Sequence, residues 1–290
     1  MQTTTSTFAA PDGTVLFVRR WAPDGTAVGS VQIAHGMGEH SARYGRLAEA
    51  LVGAGWLVVA PDQRGHGLTA AENHVELGDL GPAGWEGLVG DVASLNDALA
   101  AESAERPRVV LGHSMGSFAA QQFALDHGAD IAGLVLSGTT AVDVAASVID
   151  PEAGTDLTAM NAAFEPARTD FDWLNRDEAE VDRYVADPLC GFGLDAASTR
   201  SLIAAAPRLA DPGALAAIRS DLPVYVVSGS ADPLNLELSL VDLVVQRYRD
   251  AGLVDVTTDY RQGARHEVFN ETDRDEVTAH LLSWLGRLSA

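Results

Sequence analysis

The chain of 290 residues contains no lysine; all 19 of its basic side chains are arginine. That excludes a Ser-Lys dyad, a lysine Schiff base and pyridoxal chemistry together, because each needs an amine that can deprotonate. Cysteine is nearly absent as well. A single thiol, Cys190, forbids an internal disulfide and any multi-cysteine metal cluster, and it reads as a small buried or cap-lining residue. No apolar run approaches the roughly 20 residues of a membrane span. Positive charge is scarce, 19 basic against 41 acidic residues for a net −22, and no basic block occurs, so nucleic acid and anionic membrane surfaces would be repelled. The plain reading of this acidity is a well-solvated surface. The stretch Met1-Gln2-Thr3-Thr4-Thr5-Ser6-Thr7 has neither a basic segment nor an apolar core, so no secretory signal is expected and the cytoplasm is the default location.

What is present is an ordinary globular composition, 47% hydrophobic and 21% charged, long enough for one large domain with an insertion or two smaller ones. Short apolar runs at Val31–Ala34, Trp56–Ala60, Val109–Leu111, Ile131–Ser137 and Val224–Ser228 read as buried strands. Between them, Arg46–Ala54 and Gly84–Glu102 carry helical spacing, the second through Trp85, Leu88, Val89, Val92, Leu95 and Leu99. A further strand is read at Thr14–Trp21, a helix from about Glu237 to Ala251, a strand around Val254–Tyr260 and an amphipathic helix through Val277, Leu281 and Leu285. Such alternation predicts a parallel sheet with helices on both faces. It breaks between about Thr140 and Ser220, which lacks a buried-strand pattern and is rich in Asp and Ala. The expected organisation is therefore a core of residues 1–139 and 221–290 with a helical cap inserted at 140–220.

The candidate chemistry centres on Gly112-His113-Ser114-Met115-Gly116, where an apolar strand runs into Gly-x-Ser-x-Gly and then a helix-forming run. This is the pattern of a nucleophile elbow, whose glycines allow close backbone approach and leave the serine hydroxyl protruding. Serine is a poor nucleophile at neutral pH and needs a base, with a carboxylate to orient it. Asp232, in Ser228-Gly229-Ser230-Ala231-Asp232-Pro233, and His266, in Gly263-Ala264-Arg265-His266-Glu267, each follow a late strand in the order such a triad requires. Asp143 and Asp150 are the weaker choices of acid. The amides of Met115 and of Met37, in His35-Gly36-Met37-Gly38, are the expected oxyanion donors, with Gly36 giving the backbone room to turn. His35, His40 and His66 as a metal set is the weaker reading of those residues; no metal or cofactor is expected. Asp62-Gln63-Arg64-Gly65-His66-Gly67 reads as a polar turn bracing its neighbours.

These residues together resemble the monoacylglycerol lipase and lysophospholipase branch of the α/β-hydrolase fold. The likeness rests on His35-Gly36-Met37-Gly38-Glu39-His40-Ser41-Ala42-Arg43-Tyr44, Asp62-Gln63-Arg64-Gly65-His66-Gly67, the elbow, the Asp232 loop and Arg265-His266-Glu267-Val268-Phe269-Asn270-Glu271. It implies an eight-stranded, mostly parallel sheet under a helical cap and a serine ester hydrolase that works through an acyl-enzyme. A neutral short- to medium-chain ester or a monoacylglycerol is the expected substrate, with Phe164, Phe171, Trp173 and Leu189 of the cap lining an apolar slot. Neutral or micellar lipid suits the acidic surface; nucleic acid and integral membrane association do not. Two rivals stand beside this reading. One is an amidase or aminopeptidase that holds a substrate amine on Glu165, Asp170 or Asp172. The other is a ligand-binding α/β-hydrolase without turnover. Dehalogenase and epoxide hydrolase chemistry would need aspartate where Ser114 stands.

Overall fold

The computed structural model describes residues 1–289. Its strands are β1 (Gln2–Ala9), β2 (Val15–Ala22), β3 (Gly29–Ala34), β4 (Trp56–Pro61), β5 (Arg108–His113), β6 (Gly133–Ser137), β7 (Val224–Gly229) and β8 (Val256–Arg261). They form one sheet in the order β1-β2-β4-β3-β5-β6-β7-β8. β2 runs antiparallel to both β1 and β4, and every other pairing is parallel.

The apolar runs are continuous because both faces of the sheet are covered. In β5, Val110 joins a core shared with Leu88, Val92, Phe118 and Val241, while Val109 and Leu111 join an opposite core with Leu47, Leu51, Leu281 and Leu285. β7 divides the same way, Val224 and Val226 against Tyr225 and Val227. Each such aliphatic side chain removed from water contributes about 1.5–3 kcal/mol. The helices that supply these faces include α1 (Gly45–Gly53), α3 (Gly84–Glu102) and α4 (Met115–His127), then Ser239–Asp250 and Arg274–Gly286, while α2 (Gly67–Glu72) packs beside β2.

β1 carries no apolar alternation. Its sequence, QTTTSTFA, is exposed almost throughout, and it is held by a ladder with β2 that runs from Gln2 opposite Ala22 to Ala9 opposite Val15. Threonine suits an extended edge without needing a core partner. The helix expected from Glu237 begins at Ser239, because Leu236, Glu237 and Leu238 all take left-handed backbone conformations.

Among the described residues, the chain between β6 and β7 forms only helices and turns, including Val142–Ala145, Glu178–Ala186, Ala196–Ala205 and Pro212–Leu215. Three of its many aspartates are helix N-caps: Asp177 accepts from Ala179 N–H, Asp195 from Ser198 N–H and Asp211 from Ala214 N–H. β3 lies between β4 and β5, where the strand order reverses direction. The loops leaving β3 and β5 therefore flank one crevice at the C-terminal edge of the sheet, the usual place for a ligand in an open α/β sheet.

Candidate active site

Ser114 caps α4 with φ 51° and ψ −124°, a conformation that L side chains rarely adopt. Its neighbours make the turn possible. A Cβ on Gly112 would lie 2.3 Å from Gly116 O, and one on Gly116 would lie 2.1 Å from Ala34 O and 2.5 Å from His35 O. The strained serine is held by its own N–H, which donates to Ser137 O at 2.9 Å. Met115 follows as the first residue of α4, where helix N–H groups lack intrahelical acceptors. Among the described residues, neither Met115 N–H nor Met37 N–H donates to a protein acceptor. The Gly36 N–H is spent on Glu39 Oε1 at 2.6 Å. Gly36 itself lies against Ser114: a Cβ there would be 3.2 Å from Ser114 Cβ.

The loops after β7 and β8 bring Asp232 and His266 together. His266 Nδ1–H donates to Asp232 Oδ2 at 2.7 Å, and both residues are almost fully buried. Asp232 is fixed in turn by Leu234 N–H, which donates to Oδ1 at 2.9 Å. Burial alone would lower the pKa of His266, but the adjacent Asp232 carboxylate outweighs it and holds the ring above its ordinary value. This hydrogen bond assigns the Nδ1–H tautomer and leaves Nε2 unprotonated in the neutral ring. Among the described residues, no hydrogen bond of 3.5 Å or less joins Ser114 Oγ to His266. Of the other acids, Asp143 pairs with Arg247 at 2.7 and 2.8 Å, and Asp150 is exposed and caps Glu152 N–H.

Two rings pack tilted against His266. His113 lies 4.7 Å away and Trp173 4.9 Å, centroid to centroid. Burial and the neighbouring His266 push His113 down to about 4, so it stays neutral while His266 titrates. Trp173 belongs to a cap cluster with Leu157, Leu174 and Tyr184, against which Met37, Phe164 and Phe171 pack. Of the cap residues expected to line a slot, Phe164, Phe171 and Trp173 are thus brought together, whereas half-buried Leu189 lies outside the cluster. The indole N–H of Trp173 is buried without a partner.

The segment between β6 and β7 is latched to the His266 loop by backbone. His266 N–H donates to Trp173 O at 3.4 Å and Glu267 N–H to Leu174 O at 2.9 Å. Arg265 donates to the carbonyls of Asp172 and Asn175, and Arg176 pairs with Glu271 at 2.8 Å.

A buried ionic network that sequence reasoning did not assign lies beside His113. Arg43 pairs with Glu39 at 2.9 Å and grips Glu267 with both guanidinium nitrogens, one at 2.9 Å. Burial would raise the pKa of Glu39, yet Arg43, His113 and His35 draw it down to about 2. These side chains, with Tyr44 and Asn270, line a void of about 20 Å³, room for a single water. The available signal was the i,i+4 spacing of Glu39 and Arg43 and the charge of Glu267 next to His266. The polar turn after β4 does brace its neighbours. Asp62 accepts from Ser41 N–H and Leu68 N–H, His35 Nδ1 bonds Gly36 O and His35 Nε2 accepts from Gln63 N–H. His35 is thereby committed to backbone on both nitrogens and has none left for a metal.

An elbow serine, a buried Asp–His pair after later strands and this sheet order define an α/β-hydrolase with the layout of a serine hydrolase. The chain belongs to the serine aminopeptidase S33 family, which it matches over residues 25–273. Within that fold it is a carboxylic ester hydrolase by its relatives. It is 32% identical over 281 residues to a monoacylglycerol lipase of Mycolicibacterium smegmatis, covering 96% of this chain and 95% of that one. It is 34% identical over 234 residues to human monoglyceride lipase, covering 77% and 71%. Among solved structures, a thermostable carboxyl esterase from Bacillus coagulans in complex with glycerol superposes with a TM-score of 0.88 at 26% identity over the whole of both chains. No helix of the described residues is long and apolar enough to cross a membrane.

Proposed function

We propose that this protein hydrolyses neutral short- to medium-chain esters or monoacylglycerols through an acyl-enzyme. In this reading Ser114 attacks the ester carbonyl and His266 Nε2 takes its proton. Asp232 holds the ring in the working tautomer and stabilises its charged form, and the amides of Met37 and Met115 receive the oxyanion. His266 then returns the proton to the leaving alcohol and activates the water that frees the acid. Residues 140–220 act as the cap, with Gly36, Phe164, Phe171 and Trp173 contributing to the acyl slot. The observation that carries the reading is the buried 2.7 Å Asp232–His266 pair, set among the strand-end loops together with the strained Ser114.

A lysophospholipid is a poorer fit than a neutral ester, because a chain of net charge −22 opposes anionic lipid surfaces. The family's aminopeptidase name raises the rival of an amide substrate, which needs a carboxylate free to hold an amine. Glu165 and Asp170 are exposed, Asp172 already accepts from Arg168 N–H and Thr169, and Glu39 and Glu267 are both paired to Arg43. Asp172, Glu39 and Glu267 are therefore not free to serve it.

The test is a set of initial rates on 4-nitrophenyl esters from acetyl to dodecanoyl, with a monoacylglycerol and an aryl amide alongside. Ester turnover with labelling of Ser114 by a fluorophosphonate supports the reading, and the peak chain length fixes the depth of the slot. Amide cleavage without ester turnover would transfer the protein to the amidase rival. No turnover and no labelling would make it a binding protein.

A further inference from the structure

Away from the serine, three donor atoms of different softness converge where cap meets core. His40, Asp187 and Cys190 each offer one donor atom, and the three lie within 4.8 Å of one another. His40 belongs to the loop after β3, three residues beyond Met37, and the other two to the turn after the helix Glu178–Ala186. That turn is preset by its own backbone. Cys190 N–H donates to Asp187 O at 3.0 Å and Leu189 N–H to Asp187 Oδ1 at 2.9 Å, which leaves Oδ2 for His40 Nε2 at 2.9 Å. The next residue, Gly191, donates its N–H to Gly38 O at 3.0 Å, beside the proposed oxyanion amide of Met37.

Thiolate, imidazole and carboxylate together form a donor set that tetrahedral zinc accepts, at roughly 2.0–2.3 Å per bond and hence about 3.3–3.8 Å between donors. Closing the widest gap takes about 1 Å and opening the His40–Asp187 contact takes less, both within the reach of side-chain torsions. A cleft of about 280 Å³ lined by His40, Arg46, Arg183 and Asp187 reaches two of the donors, and half-buried Cys190 lies behind them. Arg43, also on that cleft, has its charge met by Glu39 and Glu267. The scarcity of cysteine argues against a thiolate-only site but not against a mixed one with a single sulfur.

We propose that His40, Asp187 and Cys190 form a zinc site, with a water completing the tetrahedron, that ties the cap to the Met37 loop and slows turnover by restraining the cap. Binding replaces the His40–Asp187 hydrogen bond with two metal bonds and exchanges the Cys190 thiol proton, released to solvent, for a sulfur–zinc bond. The effect on turnover rests on the function proposed above; the site itself does not.

Cobalt(II) titration of the metal-free protein provides the test, because a sulfur-to-cobalt charge-transfer band can arise only from Cys190, the one cysteine of the chain. The expected result is a band that saturates at one cobalt per chain, is unchanged by dilution and is displaced by zinc. Cys190→Ser should abolish it, and His40→Gln and Asp187→Asn should each weaken binding about tenfold or more, as loss of a ligand or its support does. Zinc should also raise the Tm of the parent protein and not that of Cys190→Ser. No band, a band indifferent to His40 and Asp187, or one cobalt shared by two chains would overturn the site. Ester turnover that zinc lowers several-fold in the parent and not in Cys190→Ser supports the restraint, and equal turnover with and without zinc overturns it. If the ester reading itself fails, the cobalt band remains.

Discussion

Arg43 grips Glu267, the residue beside His266, across 224 positions of sequence, and one of the two hydrogen bonds measures 2.9 Å. The same guanidinium holds Glu39, whose other oxygen fixes the Gly36 amide. One side chain thus spans the loop expected to supply an oxyanion donor and the loop that carries the expected base.

Removing Arg43 strands two buried carboxylates. Arg43→Gln should destabilise the protein by about 3–5 kcal/mol, the cost of breaking a buried ion pair from one side. Arg43→Lys should recover only part of this, because an ammonium cannot reproduce the two-pronged contact with Glu267. Urea unfolding midpoints give the comparison, and equal stability of all three proteins would refute the argument.

Ser114→Ala should lower turnover on the order of 10⁴ to 10⁶ while leaving the fold intact, and His266→Ala should cost about as much. Asp232→Asn should cost about 10⁴, since the ring then loses the partner that selects its tautomer. Circular dichroism with ester rates would check both halves, and retention of most activity in Ser114→Ala would remove the serine from the mechanism.

The pH dependence follows from two opposite shifts. His266 sits above its ordinary 6.5, and a base works only unprotonated, so kcat/KM should fall on the acid side with a midpoint above that value. His113, near 4, should not contribute to this limb. In stability, the raised His266 adds a contribution that is full below the unfolded value and lost as pH rises through the folded one. Glu39 does the reverse. At about 2 against an ordinary 4.5, its contribution is full above 4.5 and lost as pH falls toward 2. A pH–rate profile and unfolding midpoints over the same range test both signs.

Gly116→Ala should be among the most damaging single-methyl additions, because its Cβ meets two backbone carbonyls that no rotamer change can move. A cost of about 3 kcal/mol is expected, the upper end of overpacking penalties. Thermal unfolding beside Gly90→Ala, where a Cβ meets nothing within 4 Å, isolates the steric effect.

The strands, the elbow and the Asp232–His266 pairing were readable in sequence because each rests on local signals: apolar runs buried on both faces, glycines at a tight turn, polar loops at strand ends. β1 was not, since an exposed edge strand made of threonines needs only a neighbour's hydrogen bonds. Nor was the delayed start at Ser239, where the helical pattern of Glu237 and Leu238 is overridden by their left-handed backbone. The Arg43 network and the packing of His113 and Trp173 against His266 depend on residues far apart in the chain, and no spacing announces them. Leu189 shares the apolar character of the aromatic residues between β6 and β7, but the turn at Asp187 carries it outside their cluster.

The backbone latch between Trp173–Leu174 and His266–Glu267 bears on how such enzymes can be recombined. A chimera that exchanges the whole segment between β6 and β7 for a relative's also exchanges the shelf on which the histidine loop rests, so it should alter the expected base along with the proposed slot. Junctions that leave residues 172–177 with the parent core retain this shelf. Recombination that respects this seam should leave the Asp232–His266 pair in its parent geometry.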